Sequence, residues 1–550
     1  MLSKIKVLLL FYILMCLFIC CKNEISNTDN YLKILSPESN WIYTDEIEIP
    51  FLCNVSEEEL IWISSLQGEI GRGNGFNKVL CSGNHTISVT DKNNNVAYVN
   101  INVIKRENDH INLITRIPYI KKFKNEISQL GIISLNGIIE NLDISSLKNI
   151  NDLNEVDCLK KDISVSNDVL KMKTIKQKNS RNLINQSYRK KFFVMNTSGI
   201  SYEAHEVIGK KYYEGEKISV WLTENYDYEI EMINEIIQKL EYFVLKRVEQ
   251  LWGNCVDINQ DGSFTLLFCP SINQEKNAIG FFNSADFFTY NNQKEADDYN
   301  PYSNEMDIIY VAIPEKGSIN YSIDSILATI AHEYTHAINF TNKTWKKIIQ
   351  REENIEKEAI FLDEGWSHLT ESLVGYGESG GNSDFMNYYL ENMNYYSFCC
   401  NDYLGRNDSV GQRGAICLFL YWCFNKAGGI NYSENGIDLI DNGGISFLRD
   451  MINSDEFGWE SIGSFFQKST DILFLEFAEE LLNSESTSFI TEKIDPITKE
   501  RVFVFNGIKN MNQNQNRILP YSINLITLEK NNMLYINGKN LKGNVYLFVK

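Results

Sequence analysis

The sequence is poor in histidine and in positive charge. It has 6 histidines among 550 residues, and its 52 lysines and arginines are outnumbered by 72 aspartates and glutamates. The formal net charge is therefore −20. Because a chain this acidic repels phosphate backbones, the composition argues against nucleic acid as a partner.

Several other signals are missing from the sequence. It shows no repeat of fixed period, which argues against a solenoid, and no C-x-x-C pair that could form a cysteine metal site. After residue 19, no segment reaches the roughly 18 apolar residues of a membrane-spanning helix. The apolar fraction of 43% and the aromatic fraction of 12% suit a packed protein of several domains.

The first residues have the features of an export signal. Lys4 and Lys6 precede the apolar run 7–19, which ends at Cys20 and Cys21 without an A-x-A cleavage site. This arrangement resembles a bacterial lipoprotein signal, which implies a signal peptide at 1–20 and lipidation of Cys21, or of Cys20. An uncleaved anchor or an ordinary signal peptide is the alternative. We predict an exported protein, lipid-anchored to a bacterial membrane, with the cell surface as one candidate location.

One motif dominates the interpretation of the rest. Segment 330–338 contains H-E-x-x-H, with His332, Glu333 and His336. Residues four apart lie on one face of a helix, so both imidazoles can bind one zinc ion, and Glu333 can act on the water it holds. Ser322 is a suitable N-cap for this helix. With so few histidines, a chance occurrence of the motif is expected in about one per cent of such chains.

A catalytic zinc site of this kind needs a third protein ligand. The metzincin pattern requires a histidine at the position of Asn342, so that class is excluded. Two glutamates on a following helix remain. Glu356 lies 20 residues after His336 within a charged run, whereas Glu364 lies 28 residues after it, beside an apolar stripe. We prefer Glu364, because packing holds a carboxylate better than a solvated run does.

The two segments together resemble a known family. The pairing of 332–336 with 361–367 is similar to the hyicolysin-type neutral metalloproteases, glutamate-zincins in which H-E-x-x-H precedes an N-E-G-L-S-like segment. Less specific similarity extends the resemblance over roughly 190–490. It implies an α+β zincin-like metalloprotease domain at 191–495 that acts as a zinc endopeptidase on proteins or peptides. Asp363 stands where asparagine is usual, and Trp366 where leucine is usual.

The resemblance assigns His332, His336 and Glu364 to zinc, and makes Glu333 the general base. His368, one turn past Glu364, is a candidate to orient that ligand or to line the cleft, and a solvated helix residue is the alternative. Asp363 could also act near the metal. The candidates for stabilising the oxyanion are Arg413, Tyr376 and Tyr421.

The remaining chain suggests a multidomain protein. Short alternating strands and turns over 31–105 predict a small β-sandwich that resembles immunoglobulin-like domains. Residues 106–190 are polar and basic, and we interpret them as a linker or pro-like segment. Strand patterns over 500–550 predict a short C-terminal β-module.

Within 191–320 we expect the sheet that supports the metal helix. Strands are predicted at 217–222 and 264–268, and a long helix at 229–251. Residues 306–313 are predicted to form the edge strand beside the cleft, where an extended substrate could pair.

Two further features remain open at this point. Asp257, Asn259 and Asp261 match the opening of a calcium loop, but its twelfth position is Phe268 instead of glutamate, so a plain turn is the alternative. Among the 12 cysteines there are two candidate disulfide pairs, and the alternative is that these cysteines are buried, unpaired thiols. These pairs are Cys53 with Cys81 and Cys255 with Cys269.

Two other functions compete with the endopeptidase. A non-catalytic surface lipoprotein could bind a partner through its β-modules, although the intact H-E-x-x-H argues against this. An aminopeptidase of the same zincin class would need an acidic pocket for the substrate amine, and no sequence feature identifies one.

Overall fold

The structure of the protein is a computed structural model. It describes residues 32–37, 39, 42–44, 48–55, 60–104, 111–114, 119–144, 189–197, 203–351, 355–483, 493–501, 508 and 517–549. The predicted leader with Cys20 and Cys21, and most of the basic stretch before residue 189, lie outside them. Within these ranges, no helix has both the length and the apolar character needed to cross a bilayer. The chain divides into two compact units, Met1–Asn108 and Asp109–Lys550.

The first unit is built from β-strands. They form a five-stranded sheet of order β2-β8-β7-β4-β5 and a three-stranded sheet of order β1-β3-β6. Both sheets contribute to one core, in which Phe51 packs against Trp62 with ring centroids 5.4 Å apart. The strands are β1 (Ile34–Ser36), β2 (Ile42–Thr44), β3 (Glu48–Cys53), β4 (Ile61–Ser64), β5 (Gly68–Arg72), β6 (Phe76–Val79), β7 (Gly83–Thr90) and β8 (Val96–Ile104). This is a two-sheet β-domain, and its immunoglobulin-like identity stays a prediction.

The second unit mixes strands and helices. Its strands are β9 (Ile111–Leu113), β10 (Tyr119–Ser134), β11 (Ile138–Ile144), β12 (Arg189–Met195), β13 (Ala204–Glu214), β14 (Ile218–Thr223), β15 (Phe264–Phe268), β16 (Gly280–Phe282), β17 (Ile308–Val311), β18 (Ile430–Tyr432), β19 (Leu439–Asp441), β20 (Arg517–Ile518), β21 (Ser522–Lys542) and β22 (Val545–Val549). Its helices are α1 (Ile230–Lys239), α2 (Leu245–Trp252), α3 (Pro270–Glu275), α4 (Ile323–Asn339), α5 (Lys346–Gln350), α6 (Ile360–Leu373), α7 (Asn382–Glu391), α8 (Val410–Lys426), α9 (Gly444–Asn453), α10 (Trp459–Phe466) and α11 (Thr470–Asn483). The expected α+β class is confirmed.

One sheet joins two segments that the sequence patterns placed in separate parts. Its order is β20-β11-β21-β10-β22-β9, so strands from 111–144 alternate with strands from 517–549. Ser134 pairs with Ser522 and with Val545. The C-terminal strands therefore do not form a separate module, and part of the expected linker is sheet. The physical reason is a shared apolar core that includes Ile132 and Leu547, which neither segment could bury alone.

A second six-stranded sheet supports the metal helix. Its order is β12-β13-β14-β15-β17-β16, with parallel pairing of β14 with β15 and of β15 with β17. Strands β14, β15 and β17 are buried along their whole length, as expected for strands covered on both faces. The predicted strands at 217–222 and 264–268 are confirmed as β14 and β15. The prediction for 306–313 is wrong in one respect: β16, which pairs antiparallel with β17, is the edge strand.

The predicted helix at 229–251 is present with an interruption. Helices α1 and α2 are joined by a π-helical turn at Leu240–Val244, and α2 ends before Gly253, whose φ is +102°. A second π-helical turn, Phe340–Trp345, joins α4 to α5.

None of the cysteines in the described ranges is paired with another in a disulfide. The suggested disulfides between Cys53 and Cys81 and between Cys255 and Cys269 are therefore not formed. Cys53 and Cys269 are buried, as thiols that pack in a core are.

Candidate metal centre

Helix α4 presents the H-E-x-x-H residues at one buried position. Ser322 caps the helix by accepting a hydrogen bond from the backbone N–H of Ser325 at 3.1 Å, as the sequence predicts. The imidazoles of His332 and His336 lie on one face with ring centroids 4.8 Å apart. Both rings are buried, so they face the protein interior and not solvent.

Glu364 on α6 meets these two rings. Its Oε2 lies 3.8 Å from Nε2 of His332, and its Oε1 lies 3.8 Å from Nε2 of His336. With zinc–ligand bonds of about 2.0–2.2 Å, ligand atoms in a tetrahedral site stand roughly 3.3–3.5 Å apart. The separation in this structure is only slightly wider, and two imidazoles with one carboxylate are ligands that zinc prefers. The residues therefore fit a zinc ion.

Each histidine of this set also contacts a carboxylate through its other nitrogen. Nδ1 of His332 lies 2.6 Å from Oε1 of Glu371, and Nδ1 of His336 lies 3.0 Å from Oδ2 of Asp363. A carboxylate on Nδ1 fixes the tautomer and leaves Nε2 to bind metal. Burial holds the pKa of His332 well below its ordinary value, so the ring is neutral, as a metal ligand must be.

Asp363, a sequence candidate for a place near the metal, contacts a histidine of the donor set. It accepts hydrogen bonds from His336 and, at 2.5 Å, from the amide of Asn339. Burial raises the pKa of Asp363, but the interactions with these two residues outweigh burial and leave its pKa below the ordinary value. Asp363 therefore stays charged and gives His336 an anionic partner.

A second donor set shares one residue with the first. His332, His368 and Glu371 also bring ligand atoms close enough to hold an ion. This set would use the Nδ1 side of His332, where Glu371 already accepts a hydrogen bond. A neutral imidazole offers only one unprotonated nitrogen, so the two sets exclude each other. In the set of His332, His336 and Glu364, both histidines keep an orienting carboxylate on Nδ1.

His368 is fully buried between Glu364 and Glu371. Its Nδ1 lies 3.3 Å from Oε1 of Glu371, and its Nε2 lies 3.9 Å from Oε2 of Glu364. The solvated alternative for His368 is therefore wrong. The contact with Glu371 connects His368 to the residue that orients His332.

Arg413 on α8 holds the carboxylate of Glu364. Its Nη1 lies 3.1 Å from Oε2 of Glu364, while its Nε and Nη2 donate to the two oxygens of Asp408 at 2.6 and 2.7 Å. Burial raises the pKa of Asp408, but the hydrogen bonds and the charge of Arg413 lower it by more than burial raises it. The pKa of Asp408 is therefore below its ordinary value, and the carboxylate remains charged. Arg413 is thus placed to hold the carboxylate of Glu364 from outside the donor set.

The edge strand β16 approaches α4 next to Glu333. A Cβ atom added to Gly280 would lie 2.7 Å from Thr329 Cγ2, 2.9 Å from the carbonyl oxygen of Tyr310 and 3.6 Å from Glu333 Cγ. Only glycine allows this approach, since contacts under 3.0 Å force atoms apart. The buried carboxylate of Glu333 therefore lies beside the strand to which a substrate could pair.

Other predicted residues are not brought to the metal set. Glu356 belongs to no donor group in the described ranges, so it does not compete with Glu364. The phenol groups of Tyr376 and Tyr421 are buried, and no contact places either at the metal set. Sequence reasoning gave no role to Glu371 or to Asp408. For Glu371, the i, i+4, i+7 stripe with Glu364 and His368 was the available signal.

The aspartate-rich segment forms a turn before β15. Asp257 accepts backbone hydrogen bonds from Asp261 at 3.2 Å and Gly262 at 3.0 Å. Burial raises the pKa of the neighbouring Asp307 to about 8, and the charges of Asp257 and Asp261 add to this effect. These contacts match a plain turn, and calcium binding stays a prediction.

Asp307 makes stability depend on pH. Its folded-state pKa is raised, so between about pH 4 and pH 8 the folded state holds a proton that the unfolded state has lost. Stability should therefore fall as pH rises through this window. We expect the Tm of Asp307→Asn to fall less than that of the wild type between pH 5 and pH 8, by scanning calorimetry. A calcium-induced rise in the wild-type Tm at pH 8 would instead support the calcium loop.

Gly380 offers an indirect test of the contact between Glu371 and His332. A Cβ atom at Gly380 would lie 1.8 Å from Oε2 of Glu371, so Gly380→Ala must push the carboxylate away. We expect zinc affinity to fall by about 10- to 100-fold, as for loss of other outer-shell partners. Glu371→Gln should reproduce the loss, and competition with a fluorescent chelator measures it. Gly215→Ala is the matched control, because its added Cβ would lie 1.8 Å from Oε1 of Glu241, a carboxylate outside the metal donor sets. Unchanged affinity in both site variants would contradict the role of Glu371.

Comparison with known proteins agrees with the metal site. No family model matches the chain. Over 174 residues, 31% of the chain, it is 24% identical to Neutral metalloprotease ShpI of Staphylococcus hyicus, and it spans 37% of the length of that relative. A solved structure of yeast LTA4 hydrolase in complex with bestatin covers 74% of this chain, and the match covers 64% of the hydrolase, at 10% identity and a TM-score of 0.28, which does not establish a shared fold. The chain is thus similar in part to a neutral metalloprotease, and its own structure contains a group of two histidines and a glutamate that could bind metal.

Proposed function

We propose that this protein is a zinc-dependent endopeptidase. The observation that carries the proposal is the meeting of Nε2 of His332 and Nε2 of His336 with opposite oxygens of Glu364, each at 3.8 Å. Both histidines have a carboxylate on Nδ1, as metal-ligating histidines commonly do. The partial similarity to a neutral metalloprotease supports the same reaction class.

The chain supplies the proton transfers and the positioning. Zinc in this site would polarise the substrate carbonyl and lower the pKa of a bound water. Glu333, adjacent to His332 and outside both donor sets, takes the proton of the attacking water and delivers it to the leaving amine. Arg413 keeps Glu364 in place through the 3.1 Å contact. Glu371 and Asp363 accept hydrogen bonds from Nδ1 of His332 and His336, so that each ring keeps its Nε2 turned toward the metal.

The substrate is a peptide in extended form. Strand β16 ends the supporting sheet, so among the described strands it has a neighbour on one side only. An extended peptide can add to such an edge through backbone hydrogen bonds. Because Gly280 in β16 approaches Glu333, a peptide paired there would pass the general base. A strand-like site binds residues on both sides of the cleaved bond, which favours internal cleavage.

We also propose a location for the enzyme. The resemblance of 1–21 to a lipoprotein signal supports export and a lipid anchor at Cys21, or at Cys20. The two-sheet β-domain, which we propose is immunoglobulin-like, would then act as a spacer or binding module between the anchor and the peptidase. Mass spectrometry of the N-terminal peptide from native membranes tests the anchor by detecting an acylated cysteine.

Metal removal tests the proposed reaction. The full-length protein should cleave casein and an internally quenched peptide with both ends blocked, and a chelator should abolish this activity. Zinc at stoichiometric amounts should restore it, because the donor set suits zinc. An aminopeptidase would cleave only the peptide with a free amine, and a binding protein would cleave neither. Either result would overturn the endopeptidase proposal.

A further inference from the structure

Cys399 and Cys400 form a pair of neighbouring thiols in the segment between α7 and α8. Their Sγ atoms lie 3.8 Å apart, and both side chains are partly exposed. The backbone N–H of Cys400 donates to Ser397 Oγ at 3.0 Å, which holds this turn in place. The pair is thus within reach of solvent and of each other.

A bond between these two sulfurs would be strained. The Cα atoms of adjacent residues are about 3.8 Å apart across a trans peptide, shorter than the roughly 4.4–6.8 Å found in most disulfides. Strained disulfides are reduced more readily than structural ones. A disulfide at this site would therefore open and close with the surroundings instead of acting as a permanent crosslink.

The environment also favours reaction at Cys400. The thiol of Cys399 lies against the Cys400 sulfur and lowers the pKa of Cys400 more than burial raises it. The thiolate is the form that attacks disulfides. Burial raises the pKa of Cys399, as it does for the core thiols Cys269, Cys417 and Cys423, so Cys400 is the first nucleophile of the pair.

We propose that Cys399 and Cys400 are a reversible modification site that forms a vicinal disulfide with a low-molecular-weight disulfide as oxidant. The Cys400 thiolate attacks one sulfur of the oxidant, its S–S bond breaks, and one small thiolate leaves. The Cys399 sulfur then loses its proton and attacks Cys400 in the mixed disulfide, expelling the second thiolate. The two cysteines lose two electrons and two protons, and the oxidant gains them as two thiols.

The pair is connected to the metal ligand through α8. The carbonyl of Cys400 accepts a hydrogen bond from the side chain of Gln412 at 2.6 Å, and the Gln412 carbonyl oxygen accepts from Ser409 Oγ at 3.1 Å. The next residue, Arg413, holds Glu364. Closing the disulfide ring must turn the peptide between the cysteines, which moves the N–H of Cys400 away from Ser397 Oγ and shifts the Cα of Cys400, whose own carbonyl Gln412 binds. Oxidation should therefore disturb the N-terminus of α8 and lower peptidase activity, a consequence that rests on the proposed function.

Peptide mapping tests the modification without reference to activity. The full-length protein is treated with glutathione disulfide, alkylated with iodoacetamide and digested with trypsin. Tryptic peptide 358–406 contains Cys399, Cys400 and no other cysteine. We expect this peptide without alkyl groups and lighter by two hydrogen atoms, and dithiothreitol before alkylation should return the doubly alkylated form. A doubly alkylated peptide, or one that keeps glutathione after oxidation, would refute the proposal.

Variants separate this proposal from the proposed function. Cys399→Ser and Cys400→Ser should each abolish the lighter peptide, whereas Cys81→Ser, which changes an exposed thiol of the other unit, should leave it unchanged. Oxidation should reduce wild-type activity several-fold but not that of Cys400→Ser. Disulfide formation with unchanged activity would refute the connection through Gln412. If the reduced wild type does not cleave peptides, the proposed function fails, while the peptide map still decides the modification.

Discussion

Glu333→Gln is expected to retain zinc and to lose about 10²- to 10⁴-fold in kcat for peptide cleavage. Glu333 is buried and lies outside the metal donor sets, so its removal does not take away a ligand. Glutamine has the same shape, but its amide cannot accept the proton of the attacking water. KM should change little, because the substrate is held mainly by the strand edge. Steady-state kinetics on the quenched peptide and atomic absorption for zinc check both halves of this expectation.

Glu356→Gln is the matched control for this substitution. It removes one carboxylate from the same sequence region, at a residue outside the donor sets, and should leave both kcat and zinc content unchanged. Glu333→Gln with nearly wild-type kcat would remove Glu333 from the reaction. Glu333→Gln without zinc would instead make Glu333 a ligand and require a different donor set.

Local sequence patterns predicted the parts of the site that lie within one helix. The cap at Ser322, the facing pair His332 and His336, and the helix that carries Glu364 follow from helical spacing and N-cap chemistry. The buried strands β14 and β15 could be predicted because central strands are apolar along their whole length. These features depend on residues only a few positions apart.

Contacts between distant segments could not be predicted in the same way. The bond between Glu371 and His332 joins residues 39 apart, and that between Leu525 and Asn394 joins residues 131 apart. Such contacts depend on how helices pack, which no spacing rule contains. Strand β16 is too short to show alternation, so the edge position was given to the longer β17 region. Likewise, β10 and β21 belong to one sheet because both strands contribute apolar side chains to the same core, and the sequence spacing of these strands does not show this.

Glu364→Gln is expected to lose zinc affinity by more than the roughly 10- to 100-fold that outer-shell changes cost. Both carboxylate oxygens of Glu364 are engaged, Oε2 near Arg413 at 3.1 Å and Oε1 near His336 at 3.8 Å. An amide has only one oxygen, and the buried guanidinium of Arg413 can bind that oxygen but not an NH₂ group. The amide nitrogen would then face the two imidazoles, where a metal needs a negative oxygen. Activity should fall with zinc content, and added zinc should restore only part of it.

This substitution separates loss of the ligand from general unfolding. Arg413 keeps both hydrogen bonds to Asp408 in the variant, so its charge stays paired and the helix packing should persist. Glu364→Gln should therefore match the apo wild type in circular dichroism, and zinc should raise the Tm of the wild type but not of the variant. If zinc still stabilises the variant to the same extent, Glu364 is not a ligand. The second set, with His368 and Glu371, would then hold the metal, and His368→Ala should abolish the stabilisation.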